Sequence, residues 1–247
     1  MDQAIDLAYA GKELALFARA RNWKRYWSVA FQPFLRGDVL EVGAGLGANT
    51  VLLRSKLQRR WVCLEPDARL VQSLGASLTA LPPSSACEVR QGTLDSLDAH
   101  DRFDAILYID VLEHIADDVG ELRSAAARLH PQGRLLVLAP AHPWLFSEFD
   151  AAVGHHRRYT RKSLQAAGRA AGTLRAERLG YLDGCGLFAS LANRLLLRQA
   201  APGLRQILFW DRVLIPMSRI VDPLLRYRFG KSILAVWIRE GANGRAD

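Results

Sequence analysis

Three constellations in this chain could do chemistry. The first is Glu41-Val42-Gly43-Ala44-Gly45-Leu46-Gly47, directly after the apolar run 39–42. Alternate glycines let a backbone turn sharply and come close to a ligand. The carboxylate of Glu41 suits a cationic ligand and is poor beside a diphosphate. Glu65 closes the next apolar run, 20 residues past Gly45, where an acid can take two ribose hydroxyls. A dinucleotide loop follows GxGxxG, but here the third glycine, Gly47, comes one residue early, which disfavours a dehydrogenase. The plain alternatives are a tight strand-to-helix turn for the glycines and a helix-start acid for Glu65.

The second constellation is 142–159, HPWLFSEFDAAVGHHRRY. A connection carrying Trp144, Phe146 and Phe149 needs a reason to bury them. It also holds Asp150, His155, His156, Arg157, Arg158 and Tyr159. In a functional reading, one imidazole takes a proton from an acceptor and an Arg binds an anionic group on it. In a structural one, Asp150 and the Arg pair form an internal ion network. His142, His155, His156 and Asp150 are possible metal donors. Adjacent histidines in an extended segment point opposite ways, however, and no HExxH or paired-Cys spacing supports them, so no metal is expected.

The third is 184–230. Arg198, Arg205, Arg212, Arg219 and Arg226 recur every seven residues among large apolar side chains, and Pro202, Pro216 and Pro223 predict two or three short helices. A lid would turn its apolar side to the domain and its arginines to water. A membrane-surface segment would offer both to anionic lipid. Nucleic acid is disfavoured, because the aromatics are interleaved with aliphatics and no RNA-binding module is visible. Charge divides along the same line. Residues 1–150 carry 16 basic and 19 acidic side chains, whereas 151–247 carry 17 and 6.

The elements that must position these groups follow from apolar patterning. The 247 residues are 50% hydrophobic and 23% charged, a folded composition. No apolar run is long enough for a conventional spanning helix, and the start lacks a signal-peptide core. Cys63, Cys87 and Cys185 make no disulfide framework, which points to a reducing cytoplasmic compartment. Helical spacing over 3–20 and 23–35 precedes strands at 39–42, 61–65, 87–92, 103–110, 133–140, 173–182 and 232–240. Helices are expected over 48–56, 66–74, 117–130 and 160–172. The alternation predicts an α/β fold with a mainly parallel sheet. The joints 43–49, 65–67 and 110–114 fall at the strands' carboxyl ends, where such sheets bind ligands.

EVGAGLG, LEPD (64–67), DAILYIDVLEHI (104–115) and GRLLVLAP (133–140) together resemble the class I S-adenosylmethionine-dependent methyltransferases over about residues 35–140. The resemblance implies one domain over 1–247: a mainly parallel seven-stranded Rossmann-like sheet with helices on both faces, a helical cap at 1–35, an acceptor-side connection at 141–160 and a helical insertion at 184–230. It implies that Glu41 lies near the cofactor's amino acid end, with Gly43, Gly45 and Gly47 beneath it. Glu65 would hold the ribose, and Pro66 and Asp67 would flank the adenine. Thr93 and Leu94 match the loop after strand three, although many relatives carry an acid where Thr93 stands. Asp110 and Leu112 match the cleft floor, with His114 beside them. The phrase D-x-x-x-G-H-x-R-R-Y resembles methyltransferases of bacterial glycan, lipid and secondary-metabolite pathways. It favours His155 as base, with Asp150, Tyr159 and His114 as its catalytic company. Tyr26, Trp144, Phe146, His156, Arg157 and Arg158 are the expected acceptor contacts. The implied reaction is methyl transfer from S-adenosylmethionine to an oxygen of a small-molecule or lipid-linked acceptor. N- or C-methylation and a non-catalytic scaffold are the alternatives. Peripheral contact with an anionic membrane would place the protein at its inner face; the oligomeric state is left open.

Overall fold

The computed structural model describes residues 17–82, 87–192 and 203–241. The helix expected over 3–20, together with Arg198 and Pro202, lies wholly or mostly outside them. Along the described chain run α1 (Arg21–Phe31), β1 (Gly37–Val42), α2 (Ala48–Leu53), β2 (Gln58–Glu65), α3 (Ala68–Leu78), β3 (Glu88–Gln91), β4 (Phe103–Ile109), α4 (Asp118–Ala127), β5 (Leu129–Pro140), α5 (Glu148–Ala152), α6 (Arg161–Ala170), β6 (Leu174–Leu182), α7 (Gly184–Ala192), α8 (Leu204–Phe209), α9 (Ile215–Leu224) and β7 (Ser232–Arg239).

The seven strands form one sheet in the order β3-β2-β1-β4-β5-β7-β6. Both faces are covered, so the central strands are apolar without alternation. On one face Leu40, Val62, Ile106, Tyr108 and Trp237 pack with Leu122 of α4 and Leu164 of α6. On the other, Val39, Trp61, Cys63 and Leu107 pack with Trp23, Trp27 and Phe31 of α1, Leu74 of α3 and Ile215 of α9.

The expected mainly parallel sheet is corrected to a mixed one. β1 to β5 pair in parallel, but β7 runs antiparallel to both β5 and β6. The reason lies in the chain path. Ser232 pairs with Leu182 on one side and Pro140 on the other, so the chain after β6 returns at the edge it left. That edge holds the carboxyl ends of the parallel strands, so the segment between β6 and β7 leaves and rejoins the sheet at the end where the ligand loops lie.

Within this segment Pro216 does not separate two helices as expected. The turn Trp210–Leu214 is π-helical, and the Ile215 N–H reaches back five residues to the Trp210 carbonyl. The wider turn accommodates the proline's missing donor and bulky ring, and α8 continues into α9. The inner side of this helical run is pinned by two buried carboxylates. Asp211 accepts from the backbone N–H of Trp23 (2.9 Å) and from both nitrogens of Asn22. Asp222 accepts from the Tyr26 hydroxyl (2.8 Å) and from the N–H groups of Asp183 (2.7 Å) and Gly184 (2.9 Å). A third carboxylate, Asp183, ties Ser218, the Trp210 indole and Gly186 together.

Asp222→Ala strands two buried N–H donors and a phenol, and is expected to cost about 2–4 kcal/mol of stability. Denaturant unfolding checks this, and Asp222→Asn, which keeps one acceptor, should cost less.

Candidate active site

β1 delivers Glu41 and the glycine loop to one point. Gly43, Gly45 and Gly47 all adopt positive φ (68°, 56° and 78°). A side chain at Gly43 would strike Val111, and one at Gly47 would strike Leu74. Only glycine lets the loop pass this closely between β4 and α3. Glu41 is buried. Its Oε2 accepts from Thr50 Oγ1 (2.6 Å) and Trp61 Nε1 (3.1 Å), while Oε1 has no partner. Burial pushes its pKa up to about 7 against the pull of Thr50, Trp61 and Lys24.

Glu65 bridges the loop and the next helix, accepting from the N–H of Gly45 (2.8 Å) and of Asp67 (3.1 Å). A carboxylate has room for about four donors, so lone pairs remain for a diol. Burial raises its pKa despite those two bonds.

The other expected cofactor residues differ in their surroundings. The Asp67 carboxylate is occupied in capping α3, accepting from the N–H of Arg69 and Leu70. Leu94 and Leu112 are buried core side chains. Thr93 and Pro66 are exposed, as is Asp110, whose φ is 54° at the end of β4. Sequence reasoning missed Lys24. Its Nζ donates to Asn49 Oδ1 (2.6 Å), and it interacts electrostatically with both Asp110 and Glu41. Burial lowers its pKa. The available signal was its rarity, as one of only five lysines beside 28 arginines.

The segment after β5 builds a second group around Asp150. Its buried carboxylate accepts from Arg158 Nε (2.8 Å) and Nη2 (3.0 Å), His155 Nδ1 (2.9 Å), and the N–H (2.9 Å) and hydroxyl (2.8 Å) of Ser147. Burial opposes ionisation, but the bonds from His155, Arg158 and Ser147 win and hold the pKa well below the usual carboxylate range. Asp150 therefore positions His155 and has no free face for substrate. With Nδ1–H donating to Asp150, the Nε2 of half-buried His155 is left without a hydrogen-bonded partner among the described residues, 3.9 Å from Glu113 Oε1.

Several residues expected at the acceptor site have partners within the chain. The Tyr159 hydroxyl is buried and donates to Asp118 (2.8 Å). Arg157 pairs with Asp118 (2.8 Å) and the Ala116 carbonyl, and Arg158 is spent on Asp150. Tyr26 is tied to Asp222. His156 is exposed and held by its backbone N–H to the Glu113 carbonyl. Trp144 and Phe146 remain exposed and free to meet an apolar ligand.

Two further residues escaped the sequence reading. Lys231, just before β7, lies over the Trp210 ring and interacts with Asp183, Arg158, Asp150 and Asp110. Glu113 is buried with neither carboxyl oxygen bonded, and burial raises its pKa well above the usual range. Glu113, His114 and His155 bring one ligand atom each within 4.8 Å of one another. Two imidazoles and a carboxylate are donor types that transition metals accept. The set to be weighed thus differs from the one visible in the sequence, of which only His155 belongs to it. His142 turns away, bonding the Gly230 carbonyl (3.0 Å) and stacking on Tyr181.

Residues 15–173 match the model of a family described as a methyltransferase domain. The chain belongs to this methyltransferase family. It is 30% identical over 106 residues to a ubiquinone biosynthesis O-methyltransferase of Bradyrhizobium diazoefficiens, an alignment covering 43% of this chain and 41% of that protein. The chain therefore spans less than half the length of this curated relative. Among solved structures it resembles a chain of the complex between the Haloferax volcanii Trm112 methyltransferase activator and a methyltransferase (TM-score 0.66, 18% identity, 96% of this chain and 98% of that one). It also resembles an S-adenosylmethionine-dependent methyltransferase from Clostridium acetobutylicum (TM-score 0.57, 10% identity, 90% and 92%). At these identities the structural likeness speaks for the fold.

Family and neighbours imply S-adenosylmethionine as the methyl donor. The residues fit it. Glu41 has an orphaned buried oxygen for a cationic group, Glu65 has acceptor capacity for a ribose, Lys24 offers a cation for a carboxylate, and the glycine loop leaves no room for side chains.

Two outcomes follow. Glu65→Ala should weaken S-adenosylmethionine binding by about 1–3 kcal/mol in calorimetry, and tighter binding of NAD than of S-adenosylmethionine would overturn the assignment. Glu41 has a folded pKa above its unfolded one, so its contribution is fully present below about pH 4.5 and is lost as pH rises through about 7. The melting temperature of the ligand-free protein should fall over that window, and less steeply in Glu41→Gln.

Proposed function

We propose that this methyltransferase-family protein transfers a methyl group from S-adenosylmethionine to an oxygen of a small-molecule or lipid-linked acceptor. The observation that carries this reading is the imidazole of His155, held by a buried, ionised Asp150 through Nδ1 (2.9 Å). A hydroxyl must give up its proton as its oxygen becomes a nucleophile, which is the work a carboxylate-backed imidazole does well. When bound, S-adenosylmethionine supplies an electrophilic methyl on a sulfonium. The chain then has to align the acceptor, exclude water and hold the displaced proton.

In this reading Glu41, Glu65 and Lys24 fix the donor. His155 Nε2 takes the acceptor's proton, and Asp150 stabilises the resulting imidazolium. Arg158 and Ser147 keep Asp150 ionised for that purpose. Trp144 and Phe146, on the same connection as His155, offer exposed apolar surface for a hydrocarbon part of the acceptor. The relative named a ubiquinone biosynthesis O-methyltransferase supports oxygen as the atom methylated. The same reading places the protein in the cytoplasm, in peripheral contact with the inner face of an anionic membrane.

His155→Ala should leave S-adenosylmethionine affinity nearly intact and slow single-turnover methylation by roughly 10²–10⁴-fold. The acceptor for that assay comes from cell extract incubated with methyl-labelled cofactor and split into aqueous and lipid fractions. An unchanged single-turnover rate would remove His155 from the mechanism, and label found only on nitrogen or carbon would remove oxygen as the acceptor.

A further inference from the structure

The segment from α8 to α9 inverts the arrangement of an ordinary amphipathic lid. Its inner face, against α1 and α7, carries Asp211, Ser218 and Asp222 beside Ile207 and Ile215, all buried. Its outer face is apolar. Phe209, Val213, Met217, Ile220 and Leu224 are 57%, 41%, 49%, 69% and 77% exposed. Their spacing of four, four, three and four residues sets them in one stripe along the helix. Arg205, Arg212 and Arg219, at seven-residue spacing, are exposed along the same run. The only acids between 203 and 230 are Asp211 and Asp222, and both are buried. The outward surface of this run is thus apolar and cationic with no negative charge.

We propose that the outer face of α8–α9 docks on an anionic lipid surface, with the apolar stripe entering the headgroup boundary and the arginines meeting lipid phosphates. Burying the stripe removes large apolar side chains from water, and the guanidinium groups reach phosphate while their stems lie against hydrocarbon. No described helix is long and apolar enough to cross a membrane, so the contact is one of lying on the surface. Charge argues against a second copy of the chain as occupant. A two-fold pairing would press the same arginine row against itself. The proposal deepens the reading of an apolar acceptor, on which its purpose rests. Asp222 ties α9 to Tyr26 on the helix that also carries Lys24, and to the junction after β6, so the docked helix is fixed to an element of the site.

Co-sedimentation of the full chain with vesicles tests this without acceptor or turnover, so its failure is distinct from failure of the proposed reaction. The protein should pellet with phosphatidylcholine vesicles that contain phosphatidylglycerol, and should stay in solution with phosphatidylcholine alone. Arg205→Glu/Arg212→Glu/Arg219→Glu and Met217→Ser/Ile220→Ser/Leu224→Ser should each lower the partition coefficient at least about ten-fold, as expected when several surface charges or anchors are lost. S-adenosylmethionine affinity and circular dichroism should be unchanged in both variants. Wild-type protein that stays in solution with anionic vesicles at low salt overturns the proposal. So does pelleting that neither variant weakens, or a wild-type dimer in light scattering that the serine variant dissolves.

Discussion

Leu182 and Ser232 face each other across two antiparallel strands, and this pairing constrains the rest of the molecule. Everything between them must leave from and return to one edge of the sheet. That edge also receives the glycine loop, Glu65, Asp110 and the connection after β5. The helical segment therefore has no choice but to stand beside the site, and its buried carboxylates turn that neighbourhood into a fixed attachment. Asp211, Asp183 and Asp222 each collect donors from distant parts of the chain. A buried carboxylate is costly unless its lone pairs are filled, so each one enforces the geometry that fills them.

The same logic governs Asp150. The ion network expected of the His-Arg connection is present, and His155 is part of it. Arg158 and Ser147 keep the carboxylate ionised, and the ionised carboxylate fixes which nitrogen of His155 carries the proton. Glu41 and Glu113 stand at the opposite extreme. Each keeps buried carboxyl oxygen without a donor, and burial raises both pKa values. The site thus holds carboxyl groups driven in opposite directions, a pattern that concentrates at functional centres.

Much of this was legible from residues alone. Doubly covered strands read as apolar runs, and the glycine loop with its positive-φ glycines fell where the pattern put it, directly after β1. Local pattern could not show which way β7 runs, because direction depends on where a long connection returns. Nor could it separate side chains that face the cleft from those that support it. Tyr159, Arg157 and Asp67 have the chemistry of ligand contacts but meet partners closer to hand. Lys24 and Lys231 showed only as rare lysines, and Glu113 as one acid among many, until the fold set them beside Glu41, Asp183 and Asp150. Pro216 misled for a different reason: a single π turn absorbs a proline that an α-helical count treats as a break.

The pins on α1 have a consequence for how such a chain diversifies. A segment bounded by one edge of a sheet is a natural unit of exchange between relatives, since it can be replaced without disturbing strand register. Here the unit is larger than its boundaries suggest. Transplanting 184–230 alone would leave the backbone of Trp23 and the hydroxyl of Tyr26 without their acceptors. The two stretches, some 160 residues apart, must be inherited and recombined together.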